Sequence, residues 1–85
     1  MNDLGSPVSF VRDILPLFRP VDIEHMTRLG VALGDYAYMS VKNNAQKVYA
    51  SLQDGFAPRM PPGGPYWSET QLQLFAKWMA DGLQP

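Results

Sequence analysis

Two side chains in this sequence could help hold a metal-centred group, and none is set up as a nucleophile. His25 is the only histidine and there is no cysteine. That removes thiol catalysis, disulfides, thiolate metal sites and iron–sulfur clusters. Met60 offers a thioether and stands before the pair Pro61-Pro62. Taken alone, a lone histidine on a short helix is usually solvated or structural, and a methionine is more often core filler than a ligand. For mononuclear copper, one imidazole with one thioether and no thiolate is a poor set. Asp22 and Glu24 lie beside His25, but acidic residues at a helix start serve the cap and the helix dipole. Gly63-Gly64 sits between prolines and reads as a turn rather than a phosphate cradle. With neither a triad nor a phosphate loop, the residues point to binding rather than catalysis.

The elements that must position His25 and Met60 read as helices joined by one long loop. Ser6 and Pro7 predict the cap and first position of a helix, with Val8, Val11, Ile14, Leu15 and Phe18 at helical spacing. Pro16 should loosen its last turn and Arg19-Pro20 ends it. A second, short helix is expected from Val21 or Asp22 to Gly30, with Ile23, Met26 and Leu29 on one face. A third is expected from about Tyr36 to Gln53, with Val41, Ala45, Val48, Tyr49 and Leu52 as its apolar face. Pro58, Pro61, Pro62, Gly63, Gly64 and Pro65 force residues 55–67 into an extended loop. The last helix carries a capping box at Ser68 and Gln71, an apolar face of Leu72, Phe75, Ala76 and Met79 widened by Leu74 and Trp78, and a stop at Gly82. No strand alternation is present. The expected architecture is all-α, a single domain over residues 1–85 with about four helices.

Composition narrows the function classes further. An 85-residue chain makes one domain, and small folds of this size often lean on a cofactor or a partner. Seven Lys and Arg against eight Asp and Glu give a net charge of −1, and the basic residues are scattered, so no nucleic-acid footprint is present. No apolar run reaches the roughly 20 residues that span a bilayer. The first six residues lack the basic and apolar regions of a secretory signal, so the expected compartment is the cytoplasm, or the periplasm if a signal has been trimmed. The chain is 46% hydrophobic, with four Phe, four Tyr and two Trp, enough for a compact core.

Taken in order, these features resemble a class I c-type cytochrome domain. The stretch Phe10 to Phe18 is similar to that family's first helix. Met60-Pro61-Pro62 looks like its methionine loop, and Trp67-Ser68 through Leu74, Trp78 and Gly82 looks like its terminal helix, which packs across the first. His25 falls where the histidine of the Cys-x-x-Cys-His attachment motif should stand. The departure is at the cysteines: that stretch reads Val21-Asp22-Ile23-Glu24-His25. Both thioether positions are lost, so haem cannot be attached covalently.

The resemblance implies a slot shaped for a large apolar cofactor. Left empty, such a slot costs about 24 cal/mol per Å³, a large share of the roughly 5–15 kcal/mol that holds a domain together. Met26, Leu29, Leu33, Tyr36, Tyr38 and Met39 are bulky enough to fill it, and Glu24 is better placed at a surface than buried. The expectation is therefore a haem-free domain that docks a partner protein, such as an oxidoreductase, or serves a biosynthetic enzyme as an accessory module. Tyr36, Tyr38, Phe56, Tyr66 and Trp67 are the candidate contact surface, since Tyr and Trp are favoured at interfaces. Two alternatives stand beside it. One is non-covalent, b-type haem ligated by His25 and Met60 in an electron carrier. The other is a small molecule held in the former haem crevice.

Overall fold

The computed structural model describes residues 7–53, 55, 59–61 and 64–85. Its first helical segment is capped by Ser9: the Ser9 Oγ accepts from Arg12 N–H (3.3 Å) and the Ser9 N–H donates to Asp13 Oδ2 (2.9 Å). The expected cap, Ser6, lies outside the described residues; Pro7 and Val8 precede the helix. The segment winds as a π-helix over Phe10–Ile14 and tightens to a 3-10 turn over Leu15–Leu17. Pro16 falls in that turn, where its missing N–H rules out a regular α continuation. The unusual winding changes which residues face inward. Phe10, Ile14 and Phe18 are buried, whereas Val11, expected on the apolar face, is 62% exposed.

Four α-helices follow: α1 Pro20–Arg28, α2 Tyr36–Met39, α3 Lys42–Leu52 and α4 Glu69–Ala80. Pro20 opens α1 at the position where a missing N–H costs nothing. Its end is a Schellman turn, with Val31 N–H on Met26 O, Gly30 N–H on Thr27 O, and Gly30 at φ +85°. Leu29 is part of that cap and is 60% exposed, so it does not join Ile23 and Met26 on the inner face.

The single helix expected from Tyr36 onward is two. Asp35 caps α2 through Ala37 N–H (3.0 Å), and the chain extends at Val41 (ψ 120°) before α3 begins. The Asn44 side chain donates to Tyr38 O (3.0 Å), which also accepts from Val41 N–H (3.3 Å) at the break. Val41, in this link, is 49% exposed rather than core.

The capping box of α4 forms as expected, with Ser68 and Gln71 exchanging hydrogen bonds. α4 ends in a second Schellman turn, Leu83 N–H on Trp78 O and Gly82 N–H on Met79 O. It packs against both α3 and the first helical segment. Phe10, Ile14, Met39, Phe75 and Trp78 are the most deeply buried large side chains, with Phe10 and Trp78 ring centroids 5.5 Å apart.

The C-terminal residues clasp the start of the first helical segment. Phe10 N–H donates to Gln84 O (3.0 Å), Val8 N–H to Asp81 Oδ2 (3.0 Å) and Ser9 Oγ to Pro85 O (2.8 Å). Tyr36 adds its hydroxyl to Leu83 O, and Trp78 Nε1 donates to Gln84 O (2.8 Å). The described residues are mostly helical and include no strand beyond the isolated Ser9–Gln84 bridge. None of their helices is long and apolar enough to cross a membrane.

Candidate functional site

α1 presents Asp22, His25 and Met26 at spacings of three and four residues, which puts them on one helix face. That face borders a crevice also lined by Met60 and Pro61, with Phe18, Leu33, Leu52 and Trp67 among its apolar lining. Met60 is placed by its backbone. Its N–H donates to Ser51 O (2.8 Å), and Arg59 Nε donates to Leu52 O (3.2 Å). Both acceptors are last-turn carbonyls of α3, which have no partner inside the helix. The loop is thereby tied to the end of α3, and Met60 is held at the crevice half-buried. The Arg59 guanidinium also lies over the Tyr66 ring, 4.6 Å from its centroid.

The floor is aromatic. Trp67 lies 5.2 Å from Phe18 and 6.0 Å from Phe75, centroid to centroid. Arg19 engages both Asp22 oxygens (2.7 and 2.9 Å), leaving the carboxylate paired at the rim. His25 is exposed at the mouth. The crevice volume is about 30 Å³. A water needs roughly 10–15 Å³ in such a measure, and a cavity of about 150 Å³ takes benzene. A tetrapyrrole is several times larger than benzene and does not fit this crevice as it stands. His25 and Met60 line one cleft, but the cleft has room for one or two small species.

The aromatic residues expected to form a contact surface are placed differently from one another. Trp67 is 7% exposed and belongs to the core. Tyr36 is half-buried, its ring tilted 49° against Phe10 at 5.6 Å, with its hydroxyl spent on the C-terminal clasp. Tyr38 is half-buried against the core. Tyr66 alone among the four described is largely exposed, at 47%, and it lines a neighbouring hollow of about 170 Å³ with Leu17, Arg19 and Gln71. Phe56 lies outside the described residues. Among the expected slot fillers, Met26 and Leu33 line the crevice, Met39 is core and Leu29 faces water. Glu24 also faces water, paired with Arg28 at 2.9 Å.

Met26, expected among the slot fillers, stands beside His25 at the crevice. The exposure of Val21 and Leu29, each 60% and at the two ends of α1, escaped the sequence reading. No family model matches the chain. Nor does any curated protein or solved structure.

Proposed function

We propose that this chain is a haem-free relative of class I c-type cytochromes that works as a protein-interaction or accessory module for an oxidoreductase or a biosynthetic enzyme. The observation that carries the reading is the crevice. His25 and Met60 line one crevice, in the order that the family resemblance implies, and Phe18, Met26, Leu33, Leu52 and Trp67 share a lining that leaves about 30 Å³. α4 packing across the first helical segment agrees with the same resemblance. A core closed by its own side chains removes the need for a large cofactor. The exposed apolar residues Val21 and Leu29 at the ends of α1, and Tyr66 at the neighbouring hollow, then offer the contact surface.

The crevice also supports one second reading, because the two axial-type ligands do share it: a b-type haem protein that opens to admit the cofactor. Titration of the purified protein with ferric haem, followed at the Soret band and repeated on His25→Ala, separates the two. The haem-free reading expects no saturable one-to-one uptake, from a protein that already melts cooperatively. Tight one-to-one uptake with low-spin bands, lost in His25→Ala, would replace it with the b-type electron carrier. The docking half is tested by cross-linking in the native cell. A defined partner should be retained by the wild type and lost with Val21→Asp/Leu29→Asp; a partner held equally by both would move the contact elsewhere.

A further inference from the structure

We propose that the outward side of α1 pairs with the same side of a second copy of this chain, antiparallel, about a two-fold axis at His25. The second copy is then an occupant of the Val21 and Leu29 contact surface, and the pairing rests on the docking role given to that surface above. At about 100° per residue, Ile23 and Met26 turn to the inner side of α1, where both pack against the core. Val21, His25 and Arg28 share the opposite side within about 60° of one another, flanked by Glu24 and Leu29. All five are exposed. A two-fold interface requires a surface complementary to itself, and this stripe meets that condition. Residues equally far from His25 in opposite directions come level across the axis, so Val21 stands opposite Leu29 of the second copy. The charges follow the same symmetry. Glu24 and Arg28 lie on one edge of the stripe, on either side of His25 along the helix, with side chains 68% and 71% exposed. The axis keeps that edge on the same side in both copies, which sets Glu24 beside Arg28 of the second copy. Within one chain the two meet at 2.9 Å; in the pair, four charges of alternating sign line the edge. α1 is nine residues long, about 13 Å at 1.5 Å per residue. Its face falls short of the ~800 Å² that each partner buries in a standard interface, so the expected dissociation constant is on the order of 0.1–1 mM.

Sedimentation equilibrium of the purified protein over a concentration series reads the dimer directly, and Val21→Asp/Leu29→Asp should remove it. The register is tested by exchanging charges. Glu24→Arg and Arg28→Glu each bring like charges together along the edge and should be monomeric alone. An equimolar mixture of the two should dimerise, because each reversed charge then meets its opposite on the other chain. A pair that acts only within one chain gains nothing from mixing. Both positions are exposed, and a surface ion pair contributes little to stability, so these variants should fold. The chain has no cysteine, which allows a single one to report the axis. His25→Cys should form a disulfide-linked dimer roughly 10-fold faster than Gln73→Cys, since pairing raises the effective thiol concentration only at the axis; Gln73 is exposed on α4. A wild type that stays monomeric above the expected constant, a mixture no more dimeric than its components, or equal cross-linking at residues 25 and 73 would each overturn the pairing. A monomeric protein that still loses a cellular partner with Val21→Asp/Leu29→Asp would overturn the pairing and leave the docking role standing.

Discussion

Replacing Trp67 with alanine should convert a closed core into an open pocket, and the size of the effect follows from its surroundings. Trp67 is 7% exposed, contacts the rings of Phe18 and Phe75 and floors the crevice. Truncating a buried aromatic residue to alanine costs about 3–5 kcal/mol. A domain of this length holds only about 4–13 kcal/mol in total, at roughly 0.05–0.15 kcal/mol per residue. For a domain this small, each kcal/mol lowers the melting temperature by about 4–8 °C, so the fall should be at least ~12 °C. The vacated space merges with the crevice and becomes large enough for a ring. Added indole should therefore rescue the variant, by about 2.7 kcal/mol at 100 times its dissociation constant, and leave the wild type unchanged. Differential scanning calorimetry with and without indole measures both effects. Trp67→Leu gives a milder form if the alanine variant does not fold. A fall of less than about 4 °C, or no recovery with indole, would refute the account of Trp67 as the floor of a closed crevice.

Other consequences can be checked on the same material. Tyr36→Phe removes the hydroxyl from Leu83 O and should cost about 1 kcal/mol in urea unfolding; an unchanged midpoint would mean that the clasp does not depend on it. Ser68→Ala breaks the α4 capping box and should cost about 0.5–2 kcal/mol with the denaturant slope unchanged. A neutral result would show the cap to be redundant. Asp13 and Asp81 are both held below the ordinary carboxylate value of 3.8, chiefly by the Arg12 guanidinium and the Lys77 ammonium respectively, with the Ser9 and Val8 N–H groups adding to each. A lowered carboxyl stabilises the fold fully above its unfolded value and loses that contribution as pH falls through the lowered one. The melting temperature should therefore drop below about pH 4, and drop less in Asp13→Asn/Asp81→Asn. Identical acid profiles would place the acid-sensitive groups elsewhere.

The parts of the fold legible in the sequence were those whose cause is local. Ser68 and Gln71 satisfy helix N–H groups within one turn, and Gly30 and Gly82 take positive φ where a side chain would strain. Nothing outside those short windows decides them. The misread parts depend on distant partners. Ser9 takes over the first cap because Asp13 and the C-terminal residues meet it there. The helix expected from Tyr36 breaks at Val41, where Asn44 reaches back to Tyr38. Trp67 follows an exposed tyrosine in a proline-rich loop, and only the placement of Phe18 and Phe75 turns it inward. For the candidate site, residue type brought out His25 and Met60, and the family resemblance put them at one slot with Met26 among its fillers. What the sequence did not carry was the tie that holds Met60 there, its N–H on Ser51 O.

The C-terminal clasp also has a consequence for how the chain is made. Ser9 meets Pro85 across 76 residues of sequence, so a ribosome has to deliver residues 83–85 before the first helical segment can find its seat. Until then Phe10 has no Trp78 to cover it, and the nascent chain carries an uncovered apolar face. Folding of this domain is thus tied to residues 83–85, and a chain stalled a few codons short of residue 85 would be a substrate for chaperones or proteases.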